Sequence, residues 1–159
     1  MKISLITISP TGVDWKTMRN GTIVVGHIKP SVPRDEKGNY IYVGSKFPPE
    51  FSSDGCPFSD LSEFFNATPK LERFFRSLIE KELSQGWFGM KLLPPSVAVH
   101  MVEYSRPIHL GEKMILKDCI LHWGARNAIT CEWPTRYSDS QIHEILTGAF
   151  FKKERNLHV

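Results

Sequence analysis

Asp60-Leu-Ser-Glu-Phe-Phe-Asn-Ala-Thr-Pro-Lys-Leu-Glu-Arg-Phe-Phe-Arg-Ser-Leu-Ile-Glu-Lys-Glu-Leu83 is the stretch from which the fold is read. Leu71, Phe74, Phe75, Leu78, Ile79 and Leu83 recur at steps of three and four, so they share one helix face. Glu72, Arg73, Arg76, Glu80 and Lys81 fall on the other, with Glu72–Arg76 and Arg76–Glu80 spaced for i,i+4 pairing. Asp60-Leu-Ser-Glu63 has the form of a capping box. Thr68-Pro69 offers a second helix start, so the stretch is either two helices or one helix kinked near Pro69. Gly86 is placed to end it in a left-handed cap.

Downstream of Pro94-Pro95 the pattern reads as a period of two. Residues 96–106, 114–123, 128–137 and 142–152 are expected as strands, with Pro134 marking a bulge in the third. The connections His109–Lys113, Gly124–Asn127 and Ser138–Gln141 are short and polar, which predicts an antiparallel meander. That pairing would set Cys119 near Cys131 as two small apolar neighbours. Upstream, Gly21–Ile28 and Tyr40–Gly44 read as strands of a hairpin joined by a long, turn-rich loop. Phe47–Phe58 reads as irregular backbone. A helix with one broad apolar face needs a sheet to bury it, so the expected class is α+β, an antiparallel sheet wrapped around a central long helix.

The composition fits one domain spanning 1–159, with 41% hydrophobic and 23% charged residues. A net charge of +3 with scattered basic residues argues against nucleic-acid binding, which needs clustered Lys and Arg. No run approaches the ~20 apolar residues of a membrane span. The start of the chain lacks the form of a signal peptide, and three cysteines without CxxC spacing give neither a disulfide framework nor a zinc site. His100, His109 and His122 have no metal-ligand spacing. The expected setting is therefore reduced and cytoplasmic, with no metal, cofactor, membrane or nucleic-acid partner.

Three segments carry a resemblance. Val102-Glu-Tyr-Ser-Arg-Pro-Ile-His-Leu-Gly-Glu-Lys113 is similar to a strand-end segment of hotdog-fold thioesterases. His122-Trp-Gly-Ala-Arg-Asn-Ala-Ile129 resembles the turn that follows in that family, and Leu146-Thr-Gly-Ala-Phe-Phe151 its closing strand. The nearest match is the 4-hydroxybenzoyl-CoA thioesterase type. The resemblance covers roughly 50–153 and leaves 1–45 as an N-terminal strand and loop extension without a counterpart. It implies a hotdog fold that hydrolyses an acyl-CoA or acyl-carrier-protein thioester. It also implies a homodimer or homotetramer, because that family builds its sites between subunits. The alternatives are a non-hydrolytic acyl-thioester-binding protein and another acyl-thioester enzyme. No His lies between His27 and His100, which counts against dehydration.

Thioester hydrolysis needs a carboxylate and oxyanion donors. Asp54 falls about where the family's acid stands, although Asp54-Gly55 is spaced too tightly for its motif and is also an ordinary loop turn. Glu63 is the alternative acid, competing with a capping role, and Asn66 is a candidate hydrogen-bond donor to the thioester carbonyl. Arg126 and Asn127 correspond by resemblance to the coenzyme A entrance, with Trp123 beside them as packing or stacking.

Overall fold

The computed structural model describes residues 2–44, 56–84, 94–131 and 133–151. The chain opens with a three-strand antiparallel unit, β1 (Ile3–Ser9), β2 (Gly12–Arg19) and β3 (Thr22–Ile28). Helix α1 (Leu61–Leu78) follows and ends in a wide π turn over Ile79–Leu83. Then come β4 (Ser96–Met101), α2 (Leu110–His122), β5 (Asn127–Cys131) and α3 (Asp139–Thr147). The sheet order is β3-β2-β1-β4-β5, with β4 parallel to β1 and β5 parallel to β4.

The α+β class stands, with a long helix packed on a five-strand mixed sheet. The antiparallel meander does not form. Residues 114–122 lie within α2 and Trp123 caps it, so no strand forms there, because Glu112, Leu116 and Ile120 repeat every four residues and turn inward together. Residues 142–152 begin within α3, where Ile142, Ile145 and Leu146 make one helical face. Both helices carry capping boxes, His109 with Glu112 and Ser138 with Gln141. Gly148, at φ 82°, closes α3 in the left-handed region that a Cβ disfavours. The strands expected over 96–106 and 128–137 are shorter, so Pro134 lies beyond β5 rather than in a bulge. Because a helix separates β4 from β5, their pairing is parallel. Cys119 consequently sits on α2 and Cys131 on β5, packed in different clusters.

The N-terminal segment supplies three of the five strands of the sheet. All seven residues of β1 are buried, and it is the central strand, antiparallel to β2 on one side and parallel to β4 on the other. Tyr40 makes only an isolated bridge with Arg34, so β3 pairs with β2 and the expected 21–28/40–44 hairpin is absent. Tyr40 and Tyr42 are buried in the core instead.

The sheet does not wrap α1; it is sandwiched. Ile6, Ile8, Val97 and Val99 pack with Phe74 and Phe75 of α1 and with Leu116 and Ile120 of α2. The alternate residues Ile3, Leu5 and Ala98 pack with Ile142, Ile145 and Leu146 of α3. Burial on both faces explains why β1 and β4 read as near-continuous apolar runs.

Helix α1 is continuous through Pro69. Proline has no N–H to offer the carbonyl of Phe65, four residues back, and the Thr68 hydroxyl donates to that carbonyl instead (3.0 Å). At its start the Asp60 carboxylate accepts from the Glu63 N–H (2.8 Å), as the capping pattern requires. The reciprocal bond is missing because the Glu63 carboxylate takes the Ser59 hydroxyl. At its end Ser84 donates to the Ile79 carbonyl (2.8 Å), and Gly86 lies outside the described residues.

The aromatic side of α1 fixes its position. Phe75 stacks on Trp123 at 4.1 Å and 11°, and meets Phe58, Phe64 and Phe74 edge to face. Phe75→Ala removes this hub and should lower the unfolding free energy by about 3–5 kcal/mol, read from urea denaturation. An exposed control, Lys70→Ala, should change it by less than about 0.5 kcal/mol.

Candidate functional site

Strands β4 and β5 run parallel, so their carboxyl ends open on the same edge of the sheet, where ligand crevices of open α/β sheets form. A crevice of about 430 Å³ lies there, beginning at Met101 and Cys131, the last residues of the two strands. Tyr104, Ile108 and Trp133 supply its apolar wall, and Glu103, Arg106 and Lys113 its charged groups. The Trp133 side chain is 53% exposed, whereas Trp15 and Trp123 are buried.

Each wall has a local cause. Arg106 makes a two-pronged bond to Glu112, at 2.6 and 2.9 Å. The Glu112 carboxylate also accepts from the His109 N–H (3.1 Å), while His109 Nδ1 accepts from the Glu112 N–H (3.3 Å). The Arg106 hydrogen bond holds the Glu112 carboxyl below the usual carboxylate range, outweighing the cost of its burial. With a further bond to the Pro107 carbonyl (3.2 Å), Arg106 uses three of its five guanidinium N–H donors, so it is oriented but not saturated. On the other wall the Tyr104 hydroxyl donates to the Phe58 carbonyl (2.9 Å), tying the crevice to the start of α1. Burial pushes the Tyr104 phenol up, and Cys56 and Asp60 add to that.

A second network braces the crevice from the α3 face. Thr7, Asp14, His27, His100 and Cys131 are register partners in one row that crosses all five strands. Asp14 is bonded to His27 and accepts from Arg136 (2.8 Å). Burial raises the Asp14 pKa, but the His27 and Arg136 bonds outweigh it, and the carboxyl titrates below its ordinary value. Arg136 also donates to Glu103 (2.8 Å) and to Ser9 (3.4 Å). Glu103 has φ 65°, a conformation that costs a non-glycine residue of order 1–3 kcal/mol, and the Arg136 bond helps to hold it. His100 is bonded through Nε2 to the Trp133 carbonyl and lies 4.5 Å from the Tyr137 ring, so it fixes the backbone that presents Trp133.

The residues expected from sequence are not brought together in this crevice. Asp54 lies outside the described residues. Glu63 and Asn66 are exposed in the first turns of α1, on the helix end that Tyr104 tethers. Arg126 and Asn127 stand at the amino end of β5, the opposite edge of the sheet. Asn127 donates to Ser96 (3.1 Å), and the Arg126 N–H donates to the Pro95 carbonyl (2.8 Å). Trp123 is core packing against Phe75. Sequence reasoning passed over Asp14, Glu103, Glu112, Trp133 and Arg136. A readable signal exists for one pair, the His109-to-Glu112 spacing of a helix cap, which the polar run 109–113 also offers as a turn. Among the described residues no His, Cys, Asp and Glu group could hold a metal ion, and no helix is long and apolar enough to cross a membrane. No protein-family model matches the chain, and no curated protein matches it.

Burial lowers the pKa of His100 from its ordinary 6.5, against the opposing pull of its bond to Trp133. The unfolded chain therefore takes up a proton that the folded imidazole resists. This contribution to stability is complete above pH 6.5 and declines as pH falls below it. Between pH 7 and 5 the unfolding free energy should drop in the native protein, and less steeply in His100→Gln. Denaturant titrations at each pH measure the difference.

Proposed function

We propose that the crevice at the carboxyl ends of β4 and β5 binds a small molecule that joins a planar ring to an anionic group, as nucleotides do. The observation that carries this reading is Trp133, an exposed indole in a crevice that also holds Arg106 and Lys113. A large aromatic left in water is costly unless a partner covers it, and indole faces stack on heteroaromatic rings. Stacking of this kind contributes about 1–3 kcal/mol per base. The cations suit phosphate or carboxylate, with Arg106 oriented by its bonds to Glu112 and keeping unused N–H donors. Glu103, also in the lining, selects against an anion placed beside it.

The acyl-thioester reading is a narrower member of the same class, because coenzyme A is itself an adenine nucleotide. Glu63 favours it: an exposed carboxylate on the first turn of α1, the helix end tied to the crevice through Tyr104. In that reading Glu63 activates water for attack on the thioester of an acyl-CoA or acyl carrier protein in the cytoplasm. Its hotdog form is supported by the long helix lying on the sheet, while the parallel pairing of β1, β4 and β5 departs from it.

Calorimetric titration with ADP, coenzyme A and acetyl-CoA, with thiol release followed in parallel, separates these readings. Comparable binding of ADP and coenzyme A without thiol release supports a nucleotide-class binder. Acetyl-CoA turnover abolished by Glu63→Gln supports hydrolysis. Trp133→Ala should weaken binding by about tenfold or more, in line with the stacking energy. Absence of binding by all three ligands would sink both readings.

A further inference from the structure

Strand β3 is an edge of the sheet, and its sequence Thr22-Ile-Val-Val-Gly-His-Ile28 is of a kind that edge strands rarely carry. It holds no Lys, Arg, Asp, Glu or Pro, the residues that ordinarily blunt an edge against further pairing. It is also rich in β-branched residues. Val25, at its centre, is 60% exposed. Among the described residues no other strand pairs with its outer side. The opposite edge, β5, is shorter, at five residues against seven.

We infer that two copies of this chain join through β3, antiparallel and two-fold symmetric about Val25, to continue the sheet across the dimer. An extended strand is what the outward backbone N–H and C=O groups require. A second β3 fits in this register for reasons of shape as well. The two-fold sets Val25 against Val25 of the second copy, Val24 against Gly26 and Ile23 against His27. Gly26 has no side chain because the Trp15 indole occupies that place: a Cβ there would lie 2.1 Å from the ring. Val24 of the second copy therefore faces the Trp15 indole across Gly26 rather than a side chain of residue 26. No like-charged pair is brought together at any position of the ladder.

Light scattering after size-exclusion chromatography should show a dimer for the full chain. Val25→Lys should give a monomer with an unchanged far-ultraviolet circular dichroism spectrum. Val25→Cys provides a second measurement that does not depend on a charged variant folding well. Directly opposed residues have Cβ atoms about 4.5–5.5 Å apart, within disulfide range after small adjustment. Mild oxidation should therefore link Val25→Cys into a covalent dimer well above the wild-type background. Ile23→Cys should not link above background, because its symmetry mate lies roughly 13 Å away, four residues along the strand. A wild-type monomer across the concentration series, a Val25→Lys dimer, or equal cross-linking at 23 and 25 would each overturn the inference.

Discussion

Strand β1 must be bonded on both sides and covered on both faces, and the rest of the structure follows from meeting that demand. Its seven residues are all buried, so every backbone N–H and C=O needs a partner away from water. Strand β2 supplies one side through a tight turn. The other side comes from β4, nearly ninety residues later, and the parallel sense of that pairing requires a crossover. The crossover contains α1, whose aromatic face covers Ile6 and Ile8, and α3 covers Ile3 and Leu5 from the opposite side. Neither cover is optional, because leaving either face of β1 in water would forfeit about 25 cal/mol for each Å² of apolar surface exposed.

The same demand creates the candidate site. Once β4 and β5 run parallel, the chain must leave both at one edge of the sheet, and a hollow remains between the departing segments. Charge pairs fix the segments that line it. Arg106 is fixed by Glu112, and Arg136 gathers Ser9 at the end of β1, Asp14 near the start of β2 and Glu103 just beyond β4. Arg136 thus links the loop after β5 to the loop after β4, and His100 holds the Trp133 carbonyl between them. Most of these groups are partly exposed, so each bond adds little to overall stability; their effect is to fix geometry.

Local sequence signals proved reliable where a single element could satisfy them alone. The α1 face, the Asp60 cap and the β3 strand are all where the residues put them. The period-of-two reading failed for α2 because its exposed face carries Leu110, Met114, Ile115 and Leu121, which blur the contrast between helix faces. For α3 it failed because Ile142, Ile145 and Leu146 are few enough to suit either period. Parallel pairing follows from the helix between β4 and β5, so it is legible only where that helix is. Glu103 and Trp133 of the crevice and the bracing Asp14 and Arg136 are spread over more than a hundred positions, and no spacing rule connects them.

By itself the sequence determined an α+β chain with one strongly amphipathic helix, because helical periodicity and capping are interactions between near neighbours. Only the tertiary structure decided that β1 is central, that β4 and β5 run parallel to it, and that Arg136 meets Asp14 and Glu103. Those outcomes depend on which distant strand satisfies a buried backbone and which face a helix must cover. That choice belongs to the whole chain, since each pairing is favourable only when the others are already in place.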